Sequence, residues 1–190
     1  MDRQDRIEIV ALVGSVREHS YNRGLLRTAM LLQPEDVHIT EFPINALPFF
    51  NPDNAISNLQ PTVRDFRESL QHADAVLVLT PEYSYSIPGV LKNALDWAGT
   101  PKGRSPLRGK PVGMASASID RNGTVRAQMH LRQVFLSMGA VSIPEPEVYV
   151  TFAEDKFNNL GELTDQSARA QVKALIESLA DWALLMREQR

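Results

Sequence analysis

The chain has no cysteine among its 190 residues. Disulfides, thiolate nucleophiles and cysteine-held metal or iron–sulfur centres are therefore excluded. It also lacks any apolar run approaching the roughly 20 residues that span a bilayer. Basic charge is not in excess: 20 Lys and Arg stand against 23 Asp and Glu, a formal net charge of −3. Neither nucleic acid nor an anionic membrane is an expected partner. The opening MDRQDRIEIV is charged and then strand-like, without the apolar core of a signal peptide. A soluble cytoplasmic protein is the default expectation. No G-x-S-x-G elbow occurs, which disfavours a Ser-His-Asp hydrolase. His19, His38, His72 and His130 are scattered without a paired ligand spacing, so no metal site is expected.

What is present is an ordinary globular composition, 43% hydrophobic and 23% charged, in a length suited to one domain over residues 1–190. Five β-type runs alternate with helical stretches. Ile7 to Val13 is the first strand, and a helix with Leu25, Leu26, Ala29 and Leu32 on one face runs from about Asn22 to Leu32. Val37 to Phe42 alternates like a strand toward an edge. Pro43 to Leu59 is irregular, and its Phe49 and Phe50 suggest a docking surface. Pro61 to Ala73 is a helix with proline near its start. The run AVLVLT, Ala75 to Thr80, suits a central parallel strand covered on both faces. A helix over Pro88 to Ala98, a strand over Pro111 to Ser118, a helix over Val125 to Met138 and a fifth strand over Val148 to Thr151 follow. Thr164 to Arg190 is the last helix.

This alternation predicts right-handed βαβ crossovers and a five-stranded parallel sheet with helices on both faces. The expected class is an α/β three-layer sandwich with the flavodoxin-like order 2-1-3-4-5, in which ligands sit at the carboxyl ends of the strands. The loops after strands one, three and four should then converge.

The first loop, Gly14 to Asn22, combines a turn-forming glycine with Ser15, Arg17, Ser20 and Asn22 just before a helix. It lacks both the lysine of a P-loop and the glycine spacing of a dinucleotide fingerprint. Small hydroxyls, a planar guanidinium and helix amide groups suit a phosphate; a simple helix cap by Ser20 or Asn22 is the alternative. The second loop, TPEYSYSIPGVLKNALDW from Thr80 to Trp97, holds Tyr83 and Tyr85. They either flank a planar aromatic ligand or pack at a subunit interface, where tyrosine is enriched. The third loop follows Ser116 and Ser118. Arg126 and Arg132 beyond it read as helix-face or interface residues. Asn93 and Asp96 read as residues holding their helix against its neighbours, and Trp97 and Trp182 as packing.

Three segments carry a resemblance. Gly14-Ser15-x-Arg17-x-x-Ser20-x-Asn22, then Pro81-Glu82-Tyr83-Ser84-x-Ser86-x-Pro88-Gly89-x-Leu91-Lys92-Asn93-Ala94-Leu95-Asp96-Trp97, then Arg126-Ala127-Gln128 resemble the NADPH-dependent FMN reductase family. That family includes bacterial quinone, chromate and azo-dye reductases. The resemblance implies FMN as cofactor and NADPH (or NADH) as co-substrate. It implies that Ser15, Arg17, Ser20 and Asn22 hold the FMN phosphate. Pro81, Glu82, Tyr83 and Ser84 would lie along the isoalloxazine, and Ser116 and Ser118 at its pyrimidine side. It further implies a homodimer or homotetramer, which suits Phe49, Phe50 and the tyrosines.

Two positions depart from the family pattern. Ser84 stands where asparagine is usual, so a water would have to complete its reach to the flavin edge. Ile119 and Asp120 follow Ser118 where small-Pro-Gly is usual, and a carboxylate turned inward there would oppose charge on the reduced ring.

The implied reaction is hydride transfer from nicotinamide to FMN, then to a small acceptor (quinone, azo compound, metal oxyanion or free flavin), in ping-pong turnover. No acid or base is assigned, and Tyr83 and Tyr85 are the substrate-slot candidates. A flavodoxin-like electron carrier and a flavin-free interaction protein are the rival readings. A carrier would be expected to show a more acidic rim.

Overall fold

The computed structural model describes residues 6–54 and 59–188. Sequence expectations on 1–5, 55–58 and 189–190 lie outside the described residues. The strands are β1 (Ile7–Val13), β2 (Val37–Glu41), β3 (Ala75–Leu79), β4 (Pro111–Ala117), β5 (Val141–Ser142) and β6 (Val148–Val150). The helices are α1 (Tyr21–Leu32), α2 (Pro61–His72), α3 (Gly89–Gly99), α4 (Val125–Met138), α5 (Ala153–Lys156) and α6 (Gln166–Glu188). The sheet runs β2-β1-β3-β4-β5, with β6 also paired to β4, and every pairing is parallel. This is the flavodoxin-like order expected.

The register follows from side-chain alternation. On β1, Ile7, Ile9, Ala11 and Val13 face one core with Leu25, Leu26 and Ala29 of α1 and Val172, Leu175, Ile176 and Leu179 of α6. Val10 and Leu12 face the other core with Phe66 and Leu70 of α2, Leu91 and Leu95 of α3, and Leu131 and Phe135 of α4. Phe66 and Phe135 are fully buried, and each such side chain stabilises the fold by roughly 1.5–3 kcal/mol. β3 is buried at every residue, as its unbroken apolar run predicts. Gly113 lets α6 close on β4, since a Cβ there would stand 3.1 Å from Leu179.

The expected fifth strand, Val148 to Thr151, is β6, and the structure adds β5 before it. Two short pieces, β5 and β6, share the edge of β4, meeting it at Pro111 and Val112 and at Ala115 to Ala117 respectively. Pro144 and Pro146 lie between them, and proline has no N–H to continue a ladder. The short helix α5 is a second addition. The 43–54 stretch is largely irregular, as expected, apart from two single 3₁₀ turns at Ile44–Ala46 and Pro52–Asn54. Asn93 fastens this stretch to α3: its Oδ1 accepts from the Phe50 N–H at 2.7 Å and its Nδ2 donates to the Pro48 carbonyl at 2.9 Å. Phe50 stands edge-on to Trp97, 5.0 Å between centroids. Asp96 is instead paired with Lys92 on its own helix at 2.7 Å, one turn away, which corrects its expected role. Among the described residues no helix is long and apolar enough to cross a membrane.

Candidate functional site

The carboxyl ends of β1, β3 and β4 bring three loops together. The Gly14 N–H donates to the Leu79 carbonyl at 2.8 Å, and the Thr80 N–H to the Ala115 carbonyl at 3.2 Å. These bonds carry the sheet's pairing one residue into the loops. Gly14 is required by closeness: a Cβ there would lie 2.7 Å from Thr80 Oγ1.

The first loop ends at the N-terminus of α1. Ser15 and Ser20 are buried, while Arg17 and His19 are exposed. Ser20 is the N-cap residue, yet its hydroxyl makes no capping bond, and the first turn of α1 has no acidic side chain. The positive end of the helix is thus left uncompensated; the Arg23 N–H turns back to the Ser20 carbonyl at 3.1 Å, and the Tyr21 and Asn22 N–H groups ahead of it have no intrahelical acceptor. The Arg17 guanidinium has no ion-pair partner among the described residues. The Arg17 backbone N–H donates to Ser15 Oγ at 3.4 Å. Two shielded hydroxyls, free amides and an unpaired guanidinium form a chemically suitable cradle for a monophosphate.

Asn22 is placed differently from its neighbours in this loop. Its Nδ2 donates to the Ala117 carbonyl at 3.1 Å, and its Oδ1 accepts from the Ala117 N–H at 3.0 Å. The amide is spent on joining α1 to the end of β4. Ser116 is likewise fully buried. Its hydroxyl accepts from Thr124 Oγ1 and, at 2.8 Å, from Gln128 Nε2. Gln128 Nε2 also donates to the Val148 carbonyl at 3.1 Å. Asn22 and Ser116 therefore build the wall of the crevice: the Ser116 hydroxyl donates to the Val148 carbonyl at 3.3 Å, and Asn22 keeps one amide N–H beyond its bond to Ala117. Ser118 is half-buried, and its Oγ accepts from the Asp120 N–H at 3.1 Å. Asp120 is exposed, in a turn closed by the Gly123 N–H at 3.2 Å.

The second loop makes a miniature hairpin. Tyr83 and Ser86 exchange two backbone hydrogen bonds of 2.9 Å. Ser84 and Tyr85 between them have φ of 49° and 63°. Positive φ at both central positions marks a type I′ turn, which favours Asn and Gly over serine and tyrosine. Tyr83 and Tyr85 project at 46% and 69% exposure. Pro81, at the start of the loop, is buried.

The hairpin is pinned to α4. The Glu82 carboxylate accepts from the Ala127 N–H at 3.1 Å and from Arg126 Nη1 at 3.2 Å. The same guanidinium lies 4.3 Å over the Tyr85 ring. Ser86 Oγ and His130 Nδ1 share a hydrogen bond of 3.0 Å. Of the two sequence readings of Arg126, helix-face or interface residue, these contacts correct the first. Arg132 similarly ties α4 to the β5–β6 connection, through the Ile143 carbonyl and Glu147 at 3.1 Å each. No sequence pattern marks Thr124 or the exposed Phe152, at φ 50°; Gln128 enters only as part of the Arg126-Ala127-Gln128 segment and His130 only as one of four scattered histidines. Phe152 precedes Ala153, whose N–H bonds the Ser118 carbonyl at 3.0 Å, and no local signal marks that adjacency.

Comparison with known proteins shows the family. The pattern of the family described as NADPH-dependent FMN reductase matches residues 7–155. An NAD(P)H-dependent FMN reductase of Pseudomonas aeruginosa is 39% identical over 183 residues, covering 96% of this chain and 98% of that protein. A 2-hydroxy-1,4-benzoquinone reductase of Burkholderia is 35% identical, over 93% and 96% of the two chains. The solved structure of FerB, a flavoenzyme NAD(P)H:(acceptor) oxidoreductase from Paracoccus denitrificans, superposes with a TM-score of 0.86 at 29% identity. It covers 95% of this chain and 98% of that one.

Proposed function

The chain belongs to the NADPH-dependent FMN reductase family, and from that premise we propose that its FMN phosphate rests on the Ser15–Ser20 turn and its ring along Pro81 to Ser84. It is an NAD(P)H-dependent FMN oxidoreductase of the quinone-reductase type. The observation that carries the siting is the uncompensated N-terminus of α1, with Ser20 uncapped and Arg17 unpaired beside it. An anion placed there gains the helix dipole and two-point donation from arginine.

When bound, FMN supplies hydride acceptance from nicotinamide and reduction of an acceptor. The protein's part is position and exclusion. Arg17 and the α1 amides would anchor the phosphate end of the cofactor, and the buried Pro81 would lie along its ring. The hairpin, closed by its paired Tyr83–Ser86 backbone bonds, would keep Tyr83 and Tyr85 beside the ring. Nicotinamide and acceptor use that slot in turn, a ping-pong order. A small quinone is the preferred acceptor class, supported by the relative named a benzoquinone reductase; azo compounds, metal oxyanions and free flavin are further candidates. We read the chain as a single FMN-binding domain of the cytoplasm that assembles as a homodimer or homotetramer, the assembly being supported by Phe49, 94% exposed.

Anaerobic titration tests this. Purified protein loaded with FMN should retain it through gel filtration, lose its visible absorbance on adding NADPH, and regain it on adding a quinone. Failure to retain FMN would overturn the reading. Retention without bleaching by either nicotinamide would identify an electron carrier instead.

A further inference from the structure

Between α1 and the start of α6 lies a cavity of about 440 Å³ that shares no residue with the three loops of the crevice. Ligand pockets run from roughly 300 to 1,000 Å³, so a small organic molecule fits. Arg27 of α1 and Arg169 of α6 line it together with Leu31 and Leu163. Neither guanidinium has an ion-pair partner among the described residues. The one lining carboxylate, Glu162, accepts from Asn158 Nδ2 at 2.7 Å instead. Asp165, just before α6, is spent on the helix start, where its Oδ1 accepts from the Ala168 N–H at 2.7 Å. The lining therefore carries net positive charge.

Both cations are held in place without being neutralised. Arg27 Nη2 donates to the Gly161 carbonyl at 2.7 Å, and Arg169 Nη1 to the Leu163 carbonyl at 3.1 Å. A guanidinium has five N–H donors, so each keeps its Nε and a terminal nitrogen for another acceptor. The loop that offers these carbonyls is itself fixed. Asn158 Oδ1 accepts from the Leu160 and Glu162 N–H groups at 3.0 and 2.9 Å, and Phe157 bridges to Leu163. Gly24 lets the loop press on α1, since a Cβ there would stand 2.5 Å from the Gly161 carbonyl oxygen. A guanidinium already held loses little side-chain entropy when an anion binds. Apolar contact comes from leucine: Leu31 is 71% exposed, Leu163 is buried, and no aromatic side chain lines the cavity.

We propose that this cavity is a second ligand site, built for an aliphatic carboxylate of medium chain length. The carboxylate takes the spare N–H edges of Arg27 and Arg169, whose planar forks match its two oxygens. The hydrocarbon chain covers Leu31 and Leu163, and its binding strengthens with the apolar area removed from water. Inorganic phosphate would meet the cations but gain nothing from the leucines. A flat aromatic ring would find no partner ring to pack on. The ligand is bound and not converted, so the site stands independently of the FMN reading.

The probe is octanoate, titrated calorimetrically into FMN-loaded protein, with octanamide as its uncharged counterpart. One saturable site is expected, with octanamide about tenfold weaker or more, the scale of a charge-assisted hydrogen bond. Arg27→Gln and Arg169→Gln should each weaken octanoate about tenfold on the same scale. Leu31→Glu sets a carboxylate at an exposed position of the lining and touches neither guanidinium's bond to the loop. It should abolish saturable binding, which keeps the test sound where loss of Arg27 loosens the loop. Arg64→Gln removes an exposed arginine from α2, across the sheet, and should change nothing. No saturable binding to wild type, or equal affinity for octanamide, would overturn the proposal. So would binding that survives all three cavity variants, or that falls equally in Arg64→Gln through unspecific charge attraction. Flavin absorbance is followed throughout, and FMN released by octanoate would put the ligand in the crevice and overturn the proposal as well. A protein that retains no flavin fails the FMN reading alone and is titrated in the same way.

Discussion

Asn22 and Ala117, 95 residues apart, exchange two hydrogen bonds through the asparagine side-chain amide and the alanine backbone. The start of α1 and the end of β4 are thereby held at a set separation, and with them the first and third loops of the site. The amide behaves as a short piece of strand at the point where β4 leaves the sheet.

Replacing Asn22 by Ala leaves a buried N–H and a buried C=O without partners. The expected cost is roughly 1–3 kcal/mol of stability. Urea denaturation of the flavin-free protein is the decisive measurement. A residue that only touched phosphate would leave the apoprotein's midpoint unchanged, so an unchanged midpoint would refute the wall-building role.

Gly14 meets Thr80 so closely that even a methyl group must displace something. An added Cβ would stand 2.7 Å from Thr80 Oγ1 and 3.2 Å from Leu91 Cδ2. Gly14→Ala is expected to destabilise by about 1–3 kcal/mol, in the range of overpacked cores. Thr80→Ala removes the nearest of these atoms, so the double variant should recover part of the loss. A coupling energy above about 0.5 kcal/mol in the cycle is expected for residues in contact. Strict additivity would show that the close approach is not the cause.

Ser84 occupies a left-handed position that costs an ordinary L residue roughly 1–2 kcal/mol. Asparagine tolerates this region better than serine, because its amide bonds the local backbone. Ser84→Asn should therefore raise apoprotein stability by on the order of 0.5 kcal/mol, seen as a higher thermal midpoint. A lower midpoint would mean that the turn relaxes to another geometry around serine.

The sheet order was legible because each strand carries its own signal. AVLVLT is apolar throughout, and β3 is buried on both faces. The two residues of β5 are too few to show any alternation, and the prolines after it hide the split edge. The site was legible as a place, through the rule that ligands lie beyond the strands' carboxyl ends. Individual roles were less so. Asn22 and Ser116 have the polar character of ligand contacts, yet their partners are backbone or buried groups brought in from distant segments. Arg126 looked like any helix-face arginine because neither Glu82 nor Tyr85 lies near it in sequence. Polar residue type reveals that hydrogen bonds are made. It does not reveal whether protein or ligand supplies the other half.

Tyr149 connects stability to alkaline pH. Burial is the main cause that raises its phenol above the ordinary tyrosine value, with the Glu147 charge adding to it and Arg132 opposing. The unfolded chain therefore loses this proton more readily than the folded one. The sign follows: the contribution is fully present below the unfolded value of about 10 and is lost as pH rises through the folded value. Tyr149→Phe should flatten the fall in stability above that pH while leaving the neutral-pH slope alone. Denaturant midpoints across the alkaline range would test this, and identical slopes in the two proteins would count against it.

Arg17 offers the sharpest division between a phosphate site and a mere helix cap. Its guanidinium is exposed and unpaired, so removing it should leave the apoprotein's stability almost unaltered. Its expected effect falls on ligands that carry phosphate. Arg17→Ala should weaken FMN by roughly 10- to 100-fold, the scale of a charged hydrogen bond. Riboflavin, which has the same ring and no phosphate, should bind wild type and variant with similar affinity. Fluorescence quenching titrations of both flavins, repeated at increasing salt, give the comparison directly. The wild-type preference for FMN should shrink as salt screens the exposed cation. Equal losses for FMN and riboflavin would place Arg17 against the ring and reverse the proposed direction of the cofactor in the crevice.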